Sequence, residues 1–314
     1  MAHRPKLRKL GNTGLEVSEL TLGTWGLCAE SYGPVFPEQR EQTIARAIDA
    51  GITTFDMAPS WGPEGLSERA VAAGVGAARE QVVYVTRAGV TAAGSGPELA
   101  FSAAQLRESC EQSLGRLHTD RIDVWLLHNP SEDQLRSEEV VGTAEALTTE
   151  GKIRAWGAAV THLEAARAAI EVGAQVLSLP YNLMSPNLWS ALEHECTARN
   201  VAVFAHSVLL YGLLSGRYGP KKRFSAGDHR AHRWSREALE ERVRLVGTRR
   251  ALVRPQTLTL AAFSLRFVLS HPEIASTVIG PRTPGQVDAA CLALDPTGTY
   301  LSRDELSTLR AQLA

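Results

Sequence analysis

The chain of 314 residues has few cysteines, almost no net charge and no long apolar run. Its formal net charge of -1 at pH 7 gives no electrostatic reason to expect nucleic acid, an anionic membrane surface or a strongly charged protein as its partner. The four cysteines are too far apart for the short pairings of a zinc site: Cys28, Cys110, Cys196 and Cys291. No run of about 18 apolar residues occurs, so a membrane-spanning helix is not predicted.

The composition is that of a globular protein with a large core, since 44% of the residues are hydrophobic and 21% are charged. The N-terminal residues Met-Ala-His-Arg-Pro lack the apolar core of a secretion signal, which favours a cytoplasmic location. We therefore expect a small molecule as the partner, without nucleic acid, a membrane or a bound metal. Composition predicts no particular oligomeric state.

Short runs rich in β-branched and aromatic residues alternate with longer helical patterns, which is typical of βα units around a parallel sheet. Gly11 and Gly14 predict the turn of an N-terminal β-hairpin. Eight strand-like runs follow, at Leu20–Gly23, Thr53–Asp56, Val82–Thr86, Asp123–His128, Ile153–Ala158, Val176–Leu179, Val201–Ala205 and Thr277–Ile279. Helical patterns lie between them, at Glu38–Asp49, Leu66–Ala78, Ser102–Leu117, Val140–Glu150, Leu163–Val172, Leu188–Arg199 and Leu258–Leu269. The count predicts an α/β fold, a single (β/α)8 TIM barrel over residues 1–314, because no linker divides the chain.

One polar, irregular stretch, Tyr218–Trp234, falls between the seventh and eighth predicted strands. A solvated surface loop is the preferred interpretation, and a lid over the pocket is the alternative. The stretch contains His229 and His232, whose spacing is compatible with one face of a helix. Because the segment is basic, we interpret this pair as a surface feature and not as a metal site.

In barrels of this kind the chemistry sits at the carboxyl ends of the strands. Asp56 ends the second predicted strand, Arg87 follows the third, and His128 ends the fourth. A lone residue of these types is more often structural than catalytic. Three of them at equivalent strand ends are expected to meet at one mouth of the barrel, which makes them the catalytic candidates.

Several segments, taken in order along the chain, resemble the aldo-keto reductase superfamily from Lys9 to about Leu294. They are Lys9–Gly14, Leu22–Trp25, Ala50–Asp56, Ser113–Asp123 leading to His128, Gly151–Arg154, Tyr181–Asn182, Gly212–Gly216 and Val278–Arg282. Each segment is weak evidence alone. Their order and spacing together carry the resemblance.

The resemblance implies a reaction in which NADPH gives a hydride to a carbonyl carbon and a tyrosine protonates the carbonyl oxygen, assisted by a lysine, an aspartate and a histidine. The four positions correspond here to Asp56, Trp61, Arg87 and His128, so the tyrosine and the lysine are replaced and the tetrad is degenerate. An indole N–H is far too weak an acid to protonate an alkoxide, so Trp61 cannot be the acid. Arg87 keeps a positive charge and can pair with Asp56, which makes it an electrostatic anchor.

The resemblance also implies a binding site for NADP(H), and the sequence leaves open whether this site is retained. Ala159 and Val160 stand where family members carry a polar pair that grips the nicotinamide carboxamide, and Ser178 stands where a glutamine is common. Tyr181 is expected to stack on a flat ring. The pyrophosphate loop and the adenosine-phosphate region are matched at Ser207, Leu209, Gly212, Leu214, Gly280, Arg282 and Gln286, while Ala290 replaces an asparagine.

The losses around the nicotinamide favour a redox-neutral reaction, such as dehydration, isomerisation or cyclisation of a small carbonyl-containing substrate. His128 would carry the proton, since an unperturbed histidine has a pKa of about 6.5. Trp25, Tyr32 and Trp61 are expected to line a pocket for an apolar or flat substrate. Two alternatives remain. One is an NADPH-dependent carbonyl reductase with a replacement proton donor (His128, Tyr32 or water), and the other is a non-catalytic dinucleotide-binding regulatory protein.

Overall fold

Eight parallel strands close into a barrel, and an antiparallel hairpin precedes them. The computed structural model describes residues 3–29, 31–93, 96–255, 258–295, 297 and 300–313, with backbone alone for 91–93 and 96–98. The hairpin consists of β1 (Leu7–Lys9) and β2 (Glu16–Ser18). The barrel strands are β3 (Leu20–Gly23), β4 (Thr54–Asp56), β5 (Val83–Ala88), β8 (Ile122–His128), β9 (Ile153–Ala159), β10 (Val176–Pro180), β11 (Ala202–His206) and β12 (Ile274–Ile279), and a second hairpin, β6 (Val90–Ala93) with β7 (Gly96–Leu99), follows β5. The predicted (β/α)8 barrel with an N-terminal hairpin is confirmed.

Helices cover the outside of the barrel. Their bounds are α1 (Trp25–Cys28), α2 (Pro37–Asp49), α3 (Leu66–Val75), α4 (Ala103–Leu117), α5 (Glu132–Leu135), α6 (Glu138–Thr149), α7 (Leu163–Glu171), α8 (Asn187–Arg199), α9 (Arg230–Arg233), α10 (Arg236–Arg250), α11 (Leu260–Leu269), α12 (Pro284–Ala293) and α13 (Arg303–Leu313). The helical patterns of the sequence did not include α10, α12 and α13, nor the four-residue helices α1, α5 and α9. No helix in the described part of the chain has both the length and the apolar character needed to cross a membrane.

The barrel interior is built by the period-two alternation of side chains along each strand. One buried cluster contains alternate residues of the strands, such as Val83 and Val85 on β5 and Val124 and Leu126 on β8. The intervening residues belong to a second, larger cluster that packs against the helices, for example Tyr84. We call the alternate residues that point to the barrel interior the inward series of a strand. The last side chain of an inward series, at the carboxyl end of the strand, therefore points into the mouth of the barrel.

The first hairpin closes the opposite end of the barrel. Leu10, Leu15 and Val17 are buried and share a cluster with the inward side chains of the strands. Gly11 makes this close approach possible, because it has a φ of 55° and a Cβ atom at this position would lie 2.5 Å from the carbonyl oxygen of Asn200. With that end closed, the mouth at the carboxyl ends is where a ligand would enter.

Candidate active site

Four ionisable side chains occupy inward positions at the mouth of the barrel in the described part of the chain. Asp56 ends β4, Arg87 continues the inward series of β5, and His128 ends β8. The fourth is His206, which ends β11 two residues after the inward Phe204. The structure thus brings the three predicted residues together and adds a histidine that sequence reasoning missed. Extending the predicted strand by one residue beyond Ala205 would have found it.

Asp56 and Arg87 form a buried ion pair in the floor of the site, where their exposed fractions are 3% and 4%. Arg87 Nη1 donates to Asp56 Oδ1 and, over 2.8 Å, to the carbonyl oxygen of Met57. Its Nη2 donates to Asp56 Oδ2 over 3.1 Å. Burial raises the pKa of Asp56, and the charge and hydrogen bonds of Arg87 oppose that shift. These bonds fix the guanidinium, while its Nε is buried without a hydrogen-bond partner among the described residues.

Trp61 covers this pair. The Arg87 Cζ atom lies 4.6 Å from the centroid of the indole, which is the geometry of a cation–π contact. The backbone of Trp61 is held on both sides, since its N–H donates to the carbonyl of Ala58 and its carbonyl accepts from Ser67. The indole is therefore a wall of the site beside the guanidinium.

Both histidines of the mouth are neutral at pH 7. Burial, assisted by the positive charge of Arg87, lowers the pKa of His128 to about 4. Burial, Arg87 and His128 lower the pKa of His206 to about 3. The expectation that His128 titrates near neutral pH does not hold in this setting, because an imidazolium there would lose hydration and face a fixed cation. His128 Nδ1 is buried and unpartnered in the described structure, whereas His206 Nδ1 lies 3.0 Å from Ser207 Oγ.

Tyr181 does not face the mouth. Its side chain is fully buried, and its hydroxyl lies 2.8 Å from His271 Nε2. Its ring packs beside Phe267 and Trp189, with centroids 5.1 and 6.3 Å away. The expectation that Tyr181 stacks on a flat ligand ring does not fit this packing, because the side chain is 0% exposed and belongs to the core cluster that packs against the helices.

The strands between the two histidines carry small side chains at the mouth. Ala159 and Val160 are buried, and neither side chain has a polar group that could form a hydrogen bond with a carboxamide. Ser178 is 1% exposed, and its Oγ has no partner among the residues that the structure describes. A buried hydroxyl without a partner is unfavourable unless a ligand or a water satisfies it.

The predicted pyrophosphate loop follows β11 and has an unusual backbone. Positive φ angles occur at Ser207 (57°), Leu210 (45°), Tyr211 (55°) and Gly212 (89°). Residues other than glycine rarely adopt this backbone conformation. Leu214 is fully buried, so it supports the loop from the core and does not line it. Residues 207–216 therefore form a tightly wound turn beside the mouth.

Arg282 joins two loops. Its Nη1 donates to the carbonyl of Tyr32 over 2.9 Å, and its Nη2 donates to those of Gly33 and Pro34 over 2.9 and 3.0 Å. Its backbone N–H donates to Gln286 Oε1 over 2.7 Å, and Gly280 lies just before it after β12. The predicted adenosine-phosphate residues are thus adjacent, and in this conformation Arg282 clamps the loop that follows β3.

Residues 228–234, which we call the lid, fold onto the mouth. The ring centroid of His229 lies 5.0 Å from that of Trp25 and 4.8 Å from that of Tyr32. The backbone N–H of His229 donates to the carbonyl of Ser31 over 2.8 Å. The preferred interpretation of this stretch as a solvated loop is therefore wrong for residues 228–230. It holds for residues 219–223 and for His232, which are exposed.

Arg230 holds the lid in place. It forms an ion pair with Asp228, and its Nη1 donates to the carbonyl of Tyr211 over 3.1 Å and to the hydroxyl of Tyr218. Its Cζ atom lies 4.6 Å from the centroid of the Tyr32 ring. One guanidinium thus connects the lid to the loops that follow β3 and β11.

One group of side chains in the described residues has the composition of a metal site, but a guanidinium already occupies it. Glu193, His271 and Glu273 place ligand atoms within 4.8 Å of one another. Arg310 donates to Glu193 Oε2 over 2.7 Å and lies 3.2 Å from His271 Nδ1. This network attaches α13 to the outside of the barrel.

We compared the sequence and the fold of the chain with those of known proteins. A model of the Aldo/keto reductase family matches residues 19–311. The chain is 27% identical over 288 residues to the aldo-keto reductase YhdN of Bacillus subtilis (strain 168), with 89% of this chain and 86% of that protein covered. It is also 27% identical over 307 residues to the NADH-specific methylglyoxal reductase of Escherichia coli (strain K12), with 91% and 92% covered. The holo-form structure of the aldo-keto reductase AKR11C1 from Bacillus halodurans superposes with a TM-score of 0.83 at 23% identity, covering 99% of this chain and 97% of that chain, which shows a common fold.

The neutral state of His128 can be tested by titration. We expect its ring resonances in nuclear magnetic resonance spectra to shift with a midpoint near pH 4, so that the ring is neutral above that pH and charged below it. The double variant Asp56→Asn/Arg87→Met removes both charges of the pair but leaves His128 buried. Its midpoint is expected to rise only part of the way toward the ordinary value of about 6.5, because burial is the larger cause. A midpoint near the ordinary value of about 6.5 in the unaltered protein would contradict this account.

The lid can be tested by hydrogen exchange. Arg230→Met removes an ion pair and two further hydrogen bonds, so we expect amide exchange in residues 228–230 to accelerate about tenfold or more. Arg236→Met is the matched control, because that side chain is 60% exposed and its ion pair is with Glu240 on the same helix. Equal protection in both variants, measured by mass spectrometry, would show that Arg230 does not hold the lid.

Proposed function

Because the chain belongs to the aldo/keto reductase family, we propose that it reduces a small organic carbonyl compound with a reduced nicotinamide dinucleotide. The observation that carries the proposal is the Arg87 guanidinium, which Asp56 fixes beside His128 at the mouth of the barrel. When bound, the coenzyme supplies a hydride to the carbonyl carbon. The chain's own residues must then hold the oxygen and bring it a proton.

The names of the relatives favour this alternative over redox-neutral chemistry, since both curated relatives described above are called reductases. Nothing in the comparisons supports dehydration, isomerisation or cyclisation. An enzyme also fits these relatives better than a non-catalytic regulatory protein does.

Arg87 and His128 are suited to hold the carbonyl oxygen. Arg87 Nε is buried and has no partner among the residues that the structure describes, and the bonds to Asp56 and Met57 keep the guanidinium from turning. A donor that is already oriented stabilises charge developing on an oxygen without reorganising during the reaction. The neutral imidazole of His128 can donate its N–H to the same oxygen, as neutral histidines do in other enzymes that polarise carbonyls.

Tyr32 is not placed to replace the missing acid. Burial raises the pKa of its phenol, which weakens it as a proton donor. The guanidinium groups beside the Tyr32 ring are those of Arg230 and Arg282, whose Cζ atoms lie 4.6 and 5.9 Å from the ring centroid. Tyr32 therefore belongs with Trp25 to the wall under the lid, where aromatic rings suit an apolar or flat part of a substrate.

The residues present fit a dinucleotide at both ends of the site. At the mouth, the unpartnered Ser178 Oγ is a hydrogen-bonding group for a carboxamide. At the far side, burial and the nearby Arg230 lower the pKa of Arg282, and its Nε is buried without a partner in the described structure. A phosphate would relieve the repulsion between these two guanidinium groups. The wound loop 207–216 lies beside Arg230 and would flank that phosphate.

A coenzyme titration tests the proposed function. We expect NADPH or NADH to change the tryptophan fluorescence of the protein and to be oxidised when a panel of small aldehydes and ketones is added. His128→Gln is expected to lower kcat about 100-fold with little change in coenzyme affinity, because it removes a group that acts on the reacting oxygen. His194→Gln, at an exposed position on α8, is the control. Absence of coenzyme binding, or full turnover in His128→Gln, would contradict the proposal.

Replacement of the indole offers a gain-of-function test. Trp61→Tyr places a phenol beside the Arg87 guanidinium, whose charge favours loss of the phenolic proton, so we expect kcat to rise about tenfold or more. Trp61→Phe also removes the indole but supplies no acid. Equal rates in the two variants would show that proton supply does not limit turnover at this position.

A further inference from the structure

One short stretch of the chain carries a strong positive charge beside the mouth of the barrel. Residues 217–233, which we call the basic segment, contain six lysine and arginine residues and one aspartate. The formal net charge of the whole chain is -1, so the rest of the chain is negative. The basic segment begins directly after the turn of residues 207–216, and its last residues belong to the lid. Positive charge is therefore concentrated at the open end of the barrel.

Most of this positive charge has no carboxylate beside it. Asp228 pairs with Arg230. The other five basic side chains of the segment are exposed, and none of them forms an ion pair in the described part of the chain. They are Arg217, Lys221, Lys222, Arg223 and Arg233. Exposed arginines in other parts of the surface do have such a partner, as Arg244 has Glu241. The basic segment is thus open to an anionic group from outside the chain.

Arg233 differs from the other four because the lid fixes its guanidinium. Its Cζ atom lies 3.8 Å from the centroid of the Tyr211 ring, and its Nη2 donates to the Tyr211 hydroxyl. The ring centroid of Tyr211 lies 5.3 Å from that of His229 and 6.4 Å from that of Trp25. A guanidinium held in this way keeps further N–H donors, which are oriented before an anion arrives.

The charge of Arg233 acts on the aromatic wall under the lid. Burial, and after it the charge of Arg233, lowers the pKa of His229, whose ring packs on Trp25 and Tyr32. His229 is therefore neutral at pH 7. A neutral ring leaves the wall with the uncompensated positive charge of Arg233 at its edge, which favours a substrate that is flat at one place and negative at another.

We propose that Arg233 selects carbonyl substrates that carry a carboxylate, which its guanidinium binds while the carbonyl group lies at Arg87 and His128. The inference rests on the proposed function. Trp25 and Tyr32 would receive the part of the substrate between its two polar ends. The other cations of the basic segment raise the local concentration of such a substrate at the mouth.

A phosphate of the coenzyme is a less suitable partner for Arg233. Arg230 and Arg282, which the proposed function assigns to that phosphate, both lie beside the Tyr32 ring, at 4.6 and 5.9 Å from its centroid. Arg233 instead lies over Tyr211. It is a separate donor, and a carboxylate matches its planar fork of N–H groups.

The kinetic test compares para-formylbenzoate with its methyl ester, which has the same ring and aldehyde but no charge. We expect kcat/KM of the unaltered protein to be about tenfold or more higher for the acid, because hydrogen bonds to charged groups are among the stronger ones. Arg233→Met is expected to abolish this preference. Its kcat/KM for the ester and its dissociation constants for NADPH and NADH are expected to stay within about twofold of the unaltered values.

Two further variants separate local recognition from general charge. Arg199→Met removes an exposed arginine at the end of α8, beside Asn200 at the closed end of the barrel, and is expected to leave the acid-to-ester ratio unchanged. Arg233→Lys keeps the charge but loses the planar fork, so we expect an intermediate ratio. At about 0.5 M salt, the ratio of the unaltered protein is expected to fall, since salt screens exposed charges.

Three results would overturn the proposal. One is an equal kcat/KM for acid and ester in the unaltered protein, and another is an unchanged ratio in Arg233→Met. The third is an Arg233→Met variant whose defect is confined to the dissociation constants for the coenzymes, because this would assign Arg233 to a coenzyme phosphate.

A binding measurement separates failure of this inference from failure of the proposed function. The alcohol para-hydroxymethylbenzoate and its methyl ester need no turnover and are titrated against tryptophan fluorescence. We expect the acid to bind the unaltered protein about tenfold more tightly than the ester, and Arg233→Met to bind the two equally. A protein that reduces neither aldehyde fails the proposed function. Equal binding of the two alcohols to the unaltered protein overturns the role of Arg233, whether or not turnover occurs.

Discussion

The buried ion pair between Asp56 and Arg87 is the interaction on which the rest of the site depends. Removing one partner of such a pair commonly costs about 3–5 kcal/mol, because the other charge is left without compensation in the protein interior. The pair also affects the electrostatics of the mouth, because the Arg87 guanidinium adds to the burial that lowers the pKa values of His128 and His206. The Trp61 indole lies over the same guanidinium. A lysine in this place would offer a compact ammonium, whereas arginine can bond both carboxylate oxygens and still keep its Nε–H as a further donor.

Arg230 and Arg282 connect the loops around this ion pair. The loops that follow β3 and β11 meet the lid at Arg230, and Arg282 clamps the first of them from the other side. Both guanidinium groups are engaged with the protein's own carbonyl oxygens or with Asp228. An anionic ligand at this place would compete with these carbonyl oxygens and with Asp228 for the same guanidinium donors.

The sequence predicted the barrel and three of the four ionisable residues described at its mouth, because strand alternation is a local pattern and strand ends can be located from it. His206 was missed since its strand was ended one residue early, at Ala205. Tyr181 was misplaced for a related reason: it continues the outward series of Leu177 and Leu179, which packs against the helices. The neutral state of His128 and the folding of the lid onto Trp25 arise from contacts between distant parts of the chain, which no local pattern reveals.

The most direct test of the central claim is a crystal structure of the protein with an oxidised or reduced nicotinamide dinucleotide and an unreactive carbonyl ligand. The account predicts that the carbonyl oxygen lies within hydrogen-bonding distance, about 3 Å, of both Arg87 Nε and a ring nitrogen of His128, with the Asp56–Arg87 bonds intact. A carbonyl oxygen bound away from Arg87, or an Arg87 side chain released from Asp56, would contradict it.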